Sequence, residues 1–286
     1  MSSKTAIVTD TNCGLRPEEA AELGIRVIPM PVILGGECFF EYDSISQAEF
    51  FEALKGGAEV STSQPSPEYV ISLWEEILKT YDSIIHIPMS SALSGSCGTA
   101  KTLALDYPGR VFVVDNKRIS ISQRASVLDA LTLIQHGKEA AEIQKILEET
   151  AFDSSIYLAV NTLELLKKSG RVTAAGAAVA TVLGIKPVLQ IQGEKLDAFA
   201  KARGMKKAET IMLEALKKDL DTRFAGKPVT LQAAYSGDLE SAEIWLREMK
   251  DYFGTEDIQM YRLPLSICCH VGAGVHALGC MQIIEP

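Results

Sequence analysis

Basic residues are in deficit. Lysine and arginine number 28 against 37 aspartates and glutamates, a formal net charge of -9. That balance excludes a generic nucleic-acid binder, which needs a basic face. A zinc site has no local signature either. The six cysteines, Cys13, Cys38, Cys97, Cys268, Cys269 and Cys280, show no C-x-x-C spacing, and two of them are adjacent. They read as free thiols acting as small apolar residues in a reducing compartment. No uncharged apolar run reaches the length of a membrane span. The sequence contains no H-E-x-x-H helix and no G-x-x-x-x-G-K-[ST] loop, and its serine-rich turn lacks both G-x-G-x-x-G and the G-x-S-x-G nucleophile elbow. No internal repeat or low-complexity linker is present. Met1-Ser-Ser-Lys runs directly into a strand-like segment without a signal-peptide pattern. A soluble cytoplasmic protein without a metal site is the expectation.

What is present suits a two-domain enzyme or binding protein. The chain has 286 residues, and 47% of them are apolar, enough for substantial cores. The most informative stretch is Pro88 to Ala100, P-M-S-S-A-L-S-G-S-C-G-T-A. It follows the β-branched run Ser83 to Ile87 and leads into a helix-compatible segment. Strand, Ser/Gly turn, helix is the layout of an anion site: glycine lets backbone approach a ligand, and helix-start N–H groups have no intrahelical partner. A single serine there would be a helix cap. Four serines (Ser90, Ser91, Ser94, Ser96) and two glycines within nine residues exceed what a cap needs, and favour a binding loop.

Strand-like and helix-like segments alternate through the first half. Thr5 to Thr9 is a strand ending at Asp10, and Pro17 opens a helix. Asp10, Thr11 and Asn12 thus lie at a strand's carboxyl end, where open α/β sheets bind ligands; turn-former and ligand contact are equally open roles for Asp10. Ile25 to Leu34 is demoted by Pro29 and Pro31 to an edge strand or connector. A helix follows from Ser46 to Leu54, capped by Ser44 or Ser46. Ser61-Thr62-Ser63-Gln64-Pro65-Ser66-Pro67 then offers a second polar arm before an amphipathic helix. Arg110 to Val114 is a strand ending at Asp115. Helices follow at about Ser120 to Gln135 and Lys138 to Thr150. This alternation predicts a parallel, doubly wound sheet.

The pattern restarts near Phe152, dividing the chain into residues 1–152 and 153–286. Ala174 to Thr181 holds six Ala or Gly in eight residues, an Ala-rich helix or a site of close approach. Ile185 to Gln192 and Lys195 to Lys201 form a hairpin about Gly193-Glu194. Strands at Val229 to Tyr235, Ile258 to Leu263 and Cys280 to Ile284 complete a second, mixed sheet. Between the last two, Cys269-His270-Val-Gly-Ala-Gly274 reads as a glycine loop with a histidine at its mouth. The fold class is α/β, with two α/β domains. The serine loop (Ser91, Gly95, Ser96), Ser63 of the second arm and His270 can converge on one small anion. Asp115, about twenty residues past Gly95, stands where a ribose-binding acid would, so a nucleotide or phosphorylated substrate is the alternative ligand.

These pieces together resemble the DegV family, which includes the fatty-acid-binding subunits of bacterial fatty acid kinase. The likeness runs through I-V-T-D, P-V-I-L-G-G, T-S-Q-P-S, S-S-A-L-S-G-S, F-V-V-D, L-K-K-S-G-R-V, G-I-K-P-V-L, K-A-R-G-x-K-K-A and H-V-G-A-G. It implies a long-chain fatty acid held between two domains, with no cofactor. A separate kinase subunit would convert the carboxylate to acyl phosphate, and this chain would have no catalysis of its own. Thr62 and Ser94 would bond the carboxylate, with His270 beside it. Arg171 and Arg203 would form a rim for the kinase or the phosphate. The resemblance leaves room for transient contact with a membrane surface. This chain departs from the family pattern at Ser96, usually Thr, and Ala273, usually Pro. After Asp115 the family usually has a serine and then a glycine-bearing S-x-G-x-G stretch; here stand Asn116, Ser120 and Ser122-Gln123-Arg124-Ala125, and the missing glycines would narrow or reshape the acyl pocket.

Overall fold

The computed structural model describes residues 4–177, 184–193 and 195–285. It has two α/β domains. The first runs β1 (Thr5–Asp10), α1 (Pro17–Glu22), β2 (Arg26–Ile28), β3 (Val32–Leu34), β4 (Glu37–Phe39), α2 (Gln47–Lys55), β5 (Val60–Thr62), α3 (Pro67–Ile77), β6 (Ser83–Ile87), α4 (Ser96–Leu103), β7 (Val111–Val113), α5 (Ile121–Gln135) and α6 (Ala140–Glu149). Strands β2-β1-β6-β7 form a wholly parallel sheet. Every residue of β6 is buried, as expected of a parallel strand covered on both faces. Successive side chains point to opposite faces. Ile85 and Ile87 therefore pack with Val127, Leu133 and Ile143 of α5 and α6, while Ile84 packs with Trp74 of α3 and Cys97 of α4. The expected run from Ile25 to Leu34 is broken at Pro29 and Pro31, where no ladder hydrogen bond can be donated. Its halves join different sheets, because β3 pairs with β4 and β5 in a small antiparallel sheet. Ser46, not Ser44, caps α2 through a capping box with Glu49.

The second domain runs β8 (Ser154–Ala159), α7 (Glu164–Ser169), α8 (Ala174–Ala177), β9 (Ile185–Ile191), β10 (Asp197–Arg203), α9 (Met205–Asp221), β11 (Val229–Tyr235), α10 (Leu239–Phe253), β12 (Ile258–Arg262), α11 (Leu265–Val271) and β13 (His276–Gln282). Its sheet has the order β10-β9-β8-β13-β11-β12, parallel only between β11 and β12. The β9–β10 hairpin forms as read; Glu194 of its turn lies outside the described residues, as do 178–183, which include the end of the Ala-rich run. The last strand starts earlier than Cys280, at His276, and Cys269 and His270 lie on α11 rather than in a loop. The loop itself begins at Gly272, whose φ of +75° suits glycine.

One face of the mixed sheet is covered by α9 and α10, with Leu216, Trp245 and Met249 against Tyr157 and Leu278. The other face turns to the first domain. There Ile156, Leu158 and Ala277 join Ile119, Ile121 and Ala125 in one apolar cluster that also takes in Val32, Phe50 and Val60. The small sheet rests on α11. This shared cluster surrounds the site.

Candidate functional site

A cavity of about 330 Å³ opens where the carboxyl ends of β1 and β6 face α11. It falls within the range of small-molecule sites. Its apolar wall comes from both domains: Met30, Met89, Leu93 and Ile119 from one, Leu166, Leu196, Ile267 and Val271 from the other. Polar side chains gather at Thr62, Ser63, Gln64, Ser94, Arg171 and His270, and two more, Asn12 and Ser266, stand in the wall.

Each polar group is placed by local structure. Thr62 ends β5, and its Oγ1 lies 2.9 Å from Nε2 of His270 on α11. The backbone N–H of Ser63 donates to the Pro31 carbonyl (3.3 Å). Ser94 follows a tight turn in which the N–H groups of Leu93 and Ser94 both donate to the Ser90 carbonyl. Its hydroxyl oxygen accepts from the Ser96 N–H at 3.2 Å, so its own proton remains available to an acceptor in the cavity. Gln64 Oε1 accepts from Thr99 Oγ1 (3.1 Å). It would lie 3.3 Å from a Cβ at position 95, a close fit that glycine relieves. Arg171 follows the left-handed cap Gly170. Its Nε donates to the Leu93 carbonyl (3.3 Å) and Nη1 to the Ser169 carbonyl (2.5 Å). One guanidinium thus ties the second domain to the serine loop of the first.

His270 is the titratable group of the site. Burial, with the nearby Arg171 charge adding to it, pushes its pKa down to about 4. At neutral pH it is a neutral imidazole, and Nδ1 is buried without a partner among the described residues. At the root of the site Asp10 is fully buried. It accepts from the Asn12 N–H (3.0 Å), Asn12 Nδ2 (2.8 Å), the Met89 N–H (2.8 Å) and Gln123 Nε2 (3.2 Å). Burial raises its pKa, against the pull of those donors. Asp10 therefore fixes the β1 and β6 ends and does not line the cavity.

The structure brings Thr62, Ser63, Ser94, Gly95, Arg171 and His270 to one cavity and leaves Ser91, Ser96 and Arg203 of the expected headgroup and rim set outside it. Ser91 faces a neighbouring groove, where Lys117 Nζ donates to its Oγ at 2.5 Å. Ser96 is buried behind the loop, beside His86. Arg203 is exposed at the far end of β10, six residues and ~20 Å of strand from the Leu196–Asp197 end. Asp115, the expected ribose ligand, pairs with Lys117 at 2.8 Å. The stretch 122–125 lines no part of the cavity. Gln123 is tied to Thr9, Asp10 and the Ile87 carbonyl, and Arg124 pairs with Glu19 over the Tyr261 ring. Gln64 and Ser266 were not singled out by sequence reasoning. Gln64 lay inside the T-S-Q-P-S arm, and Ser266 is one helical turn from His270. Among the described residues no group of three or more His, Cys, Asp or Glu is placed to hold a metal ion, and no helix is long and apolar enough to cross a membrane.

The family model for the DegV proteins matches residues 4–282. A DegV domain-containing protein of Streptomyces coelicolor is 30% identical over 277 residues, covering 96% of this chain and 97% of its own. One from Deinococcus radiodurans is 29% identical over 270 residues, covering 94% and 95%. Among solved structures, a DegV family protein from Thermus thermophilus, described as binding fatty acid, superposes with a TM-score of 0.88 at 30% identity, covering 98% of this chain and 99% of its own. DegV from Bacillus subtilis, described as a fatty acid binding protein, gives 0.84 at 26% identity, covering 98% and 100%.

Proposed function

The chain belongs to the DegV family, and from that premise we propose that it binds one long-chain fatty acid in the cavity between its domains. The observation that carries the reading is the pairing of an apolar slot with Thr62, Ser94 and Arg171 beside a neutral His270. A chain of about sixteen carbons gains on the order of 10 kcal/mol of gross transfer free energy, at ~0.8 kcal/mol per methylene. The donors compensate a carboxylate taken out of water at the mouth. Residues 1–152 supply the headgroup loops and 153–286 cover the acyl chain. Ser63 and Gly95 shape the headgroup site, with Ser91 in the neighbouring groove and Ser96 behind the loop. The fatty-acid descriptions of the Thermus and Bacillus proteins support the same reading.

The finer reading is that the chain has no catalysis of its own and presents the carboxylate to a separate ATP-dependent kinase subunit in the cytoplasm. The kinase forms the acyl phosphate for phospholipid synthesis, after the acid is collected by transient contact with a membrane surface. Arg171 at the cavity and Arg203 on β10 are contacts for that partner. Mass spectrometry of an organic extract of purified protein tests the binding reading. A co-purified fatty acid is expected; an empty extract, with no uptake of added palmitic acid, would refute it.

A further inference from the structure

The cavity wall contains a polar spot that a plain alkyl chain does not use. Asn12 and Ser266 line it and are almost fully buried, at 2% and 4% exposure. Their hydrogen bonds run in one direction. Asp10 accepts N–H donors on both carboxyl oxygens. Asn12 spends its two amide protons on Asp10 Oδ1 (2.8 Å) and Met89 Sδ (3.0 Å). That fixes its oxygen as the end facing Ser266, and Ser266 Oγ donates its only proton there at 2.7 Å. The chain of bonds ends on Ser266 Oγ with its proton committed and its lone pairs unclaimed among the described residues. Each bond in the chain polarises the next and strengthens the acceptor at the tip.

We propose that Ser266, held by Asn12, is a specificity-determining acceptor for a hydroxyl group on the acyl chain, so that the preferred ligand class is a monohydroxylated fatty acid. This rests on the fatty-acid reading of the same cavity. Ser266 and His270 are four residues apart on α11, on one face and ~6 Å along its axis. At ~1.2 Å per bond of extended chain, the ligand hydroxyl lies about four to six bonds from the carboxyl carbon. Hydroxyls nearer the carboxylate or far down the tail miss the acceptor and bring an unpaired polar group into an apolar slot.

Calorimetric titration with palmitic acid and with palmitic acids hydroxylated singly along the chain tests this without altering the protein. One isomer in that window should bind about tenfold tighter than palmitic acid, the ratio given by ~1.4 kcal/mol. In Ser266→Ala the ratio should fall to about one, while Ser266→Thr, which keeps the hydroxyl, should retain the preference. Palmitic acid binding as tightly as every isomer would overturn the proposal, and so would a preference that survives Ser266→Ala. If neither palmitic acid nor any isomer binds, the fatty-acid reading falls and takes the hydroxyl subsite with it.

Discussion

In the proposed function, Thr62, Ser94 and His270 divide the work of holding the carboxylate. Ser94 has one of its two lone pairs occupied by the Ser96 N–H and its proton uncommitted, so toward a carboxylate in the cavity it acts as a donor. Ser94→Ala should therefore weaken fatty-acid binding by about 1.5–3 kcal/mol, the range for a hydrogen bond to a charged group, with the fold intact. Unchanged calorimetric affinity in a Thr62→Ala/Ser94→Ala double variant would move the headgroup elsewhere. His270 carries the pH dependence. Its folded pKa, about 4, lies below the 6.5 of a free imidazole. The unfolded chain thus binds more protons between those values, and the stability contributed by keeping His270 neutral is complete above pH 6.5 and lost as pH falls toward 4. His270→Gln should flatten the drop in urea midpoint between about pH 7 and about pH 5. Ligand binding reverses the local field, because a carboxylate favours the imidazolium. Fatty-acid affinity in the wild type should then rise as pH falls through the ligand-raised value and stay level in His270→Gln; parallel curves would detach His270 from the carboxylate.

At the scale of elements, the site depends on how closely α5 and α11 approach the mixed sheet. Gly279 of β13 makes the α5 approach possible. A Cβ there would sit 2.8 Å from the Ser155 carbonyl and 3.1 Å from Ile121 Cδ1. Gly279→Ala should destabilise the chain by about 1–3 kcal/mol through overpacking, read as a lower urea midpoint; a wild-type midpoint would mean that the sheet yields. The elements that sequence reasoning placed well are those with strong local signals, such as the isoleucine run of β6 before a Ser/Gly turn and the Gly193 hairpin. It misplaced α11 because L-S-I-C-C-H-V is apolar almost all round: every residue but His270 is buried. A helix buried on all sides has no 3.6-residue polarity pattern to read, and the nearby glycines pulled His270 into a loop. Ser266 was invisible for the same reason. Arg171 and Arg203 sit in equally basic motifs, and only the tertiary fold separates the one at the cavity from the one at the far end of β10.

Across the whole molecule, the two domains share one apolar cluster with the cavity inside it, so a ligand filling the cavity joins the core that holds the domains together. Binding only to the folded chain then stabilises it by mass action, about 2.7 kcal/mol at a free ligand concentration 100 times Kd. The thermal midpoint should climb with added fatty acid and not with a short-chain acid that leaves the slot unfilled. Arg171 and Arg203 respond differently in this setting. Arg171 bridges the domains through the Leu93 carbonyl and lines the cavity, so on the proposed function Arg171→Ala should reduce both the ligand-induced thermal shift and phosphorylation by the proposed kinase subunit. Arg203 is exposed and outside the cavity. Arg203→Ala should keep the full thermal shift and slow phosphorylation at saturating ligand, the behaviour of a charge that meets a partner protein rather than the fatty acid. A wild-type phosphorylation rate in Arg203→Ala would leave it an ordinary surface charge, and a full thermal shift in Arg171→Ala would remove that guanidinium from the ligand site.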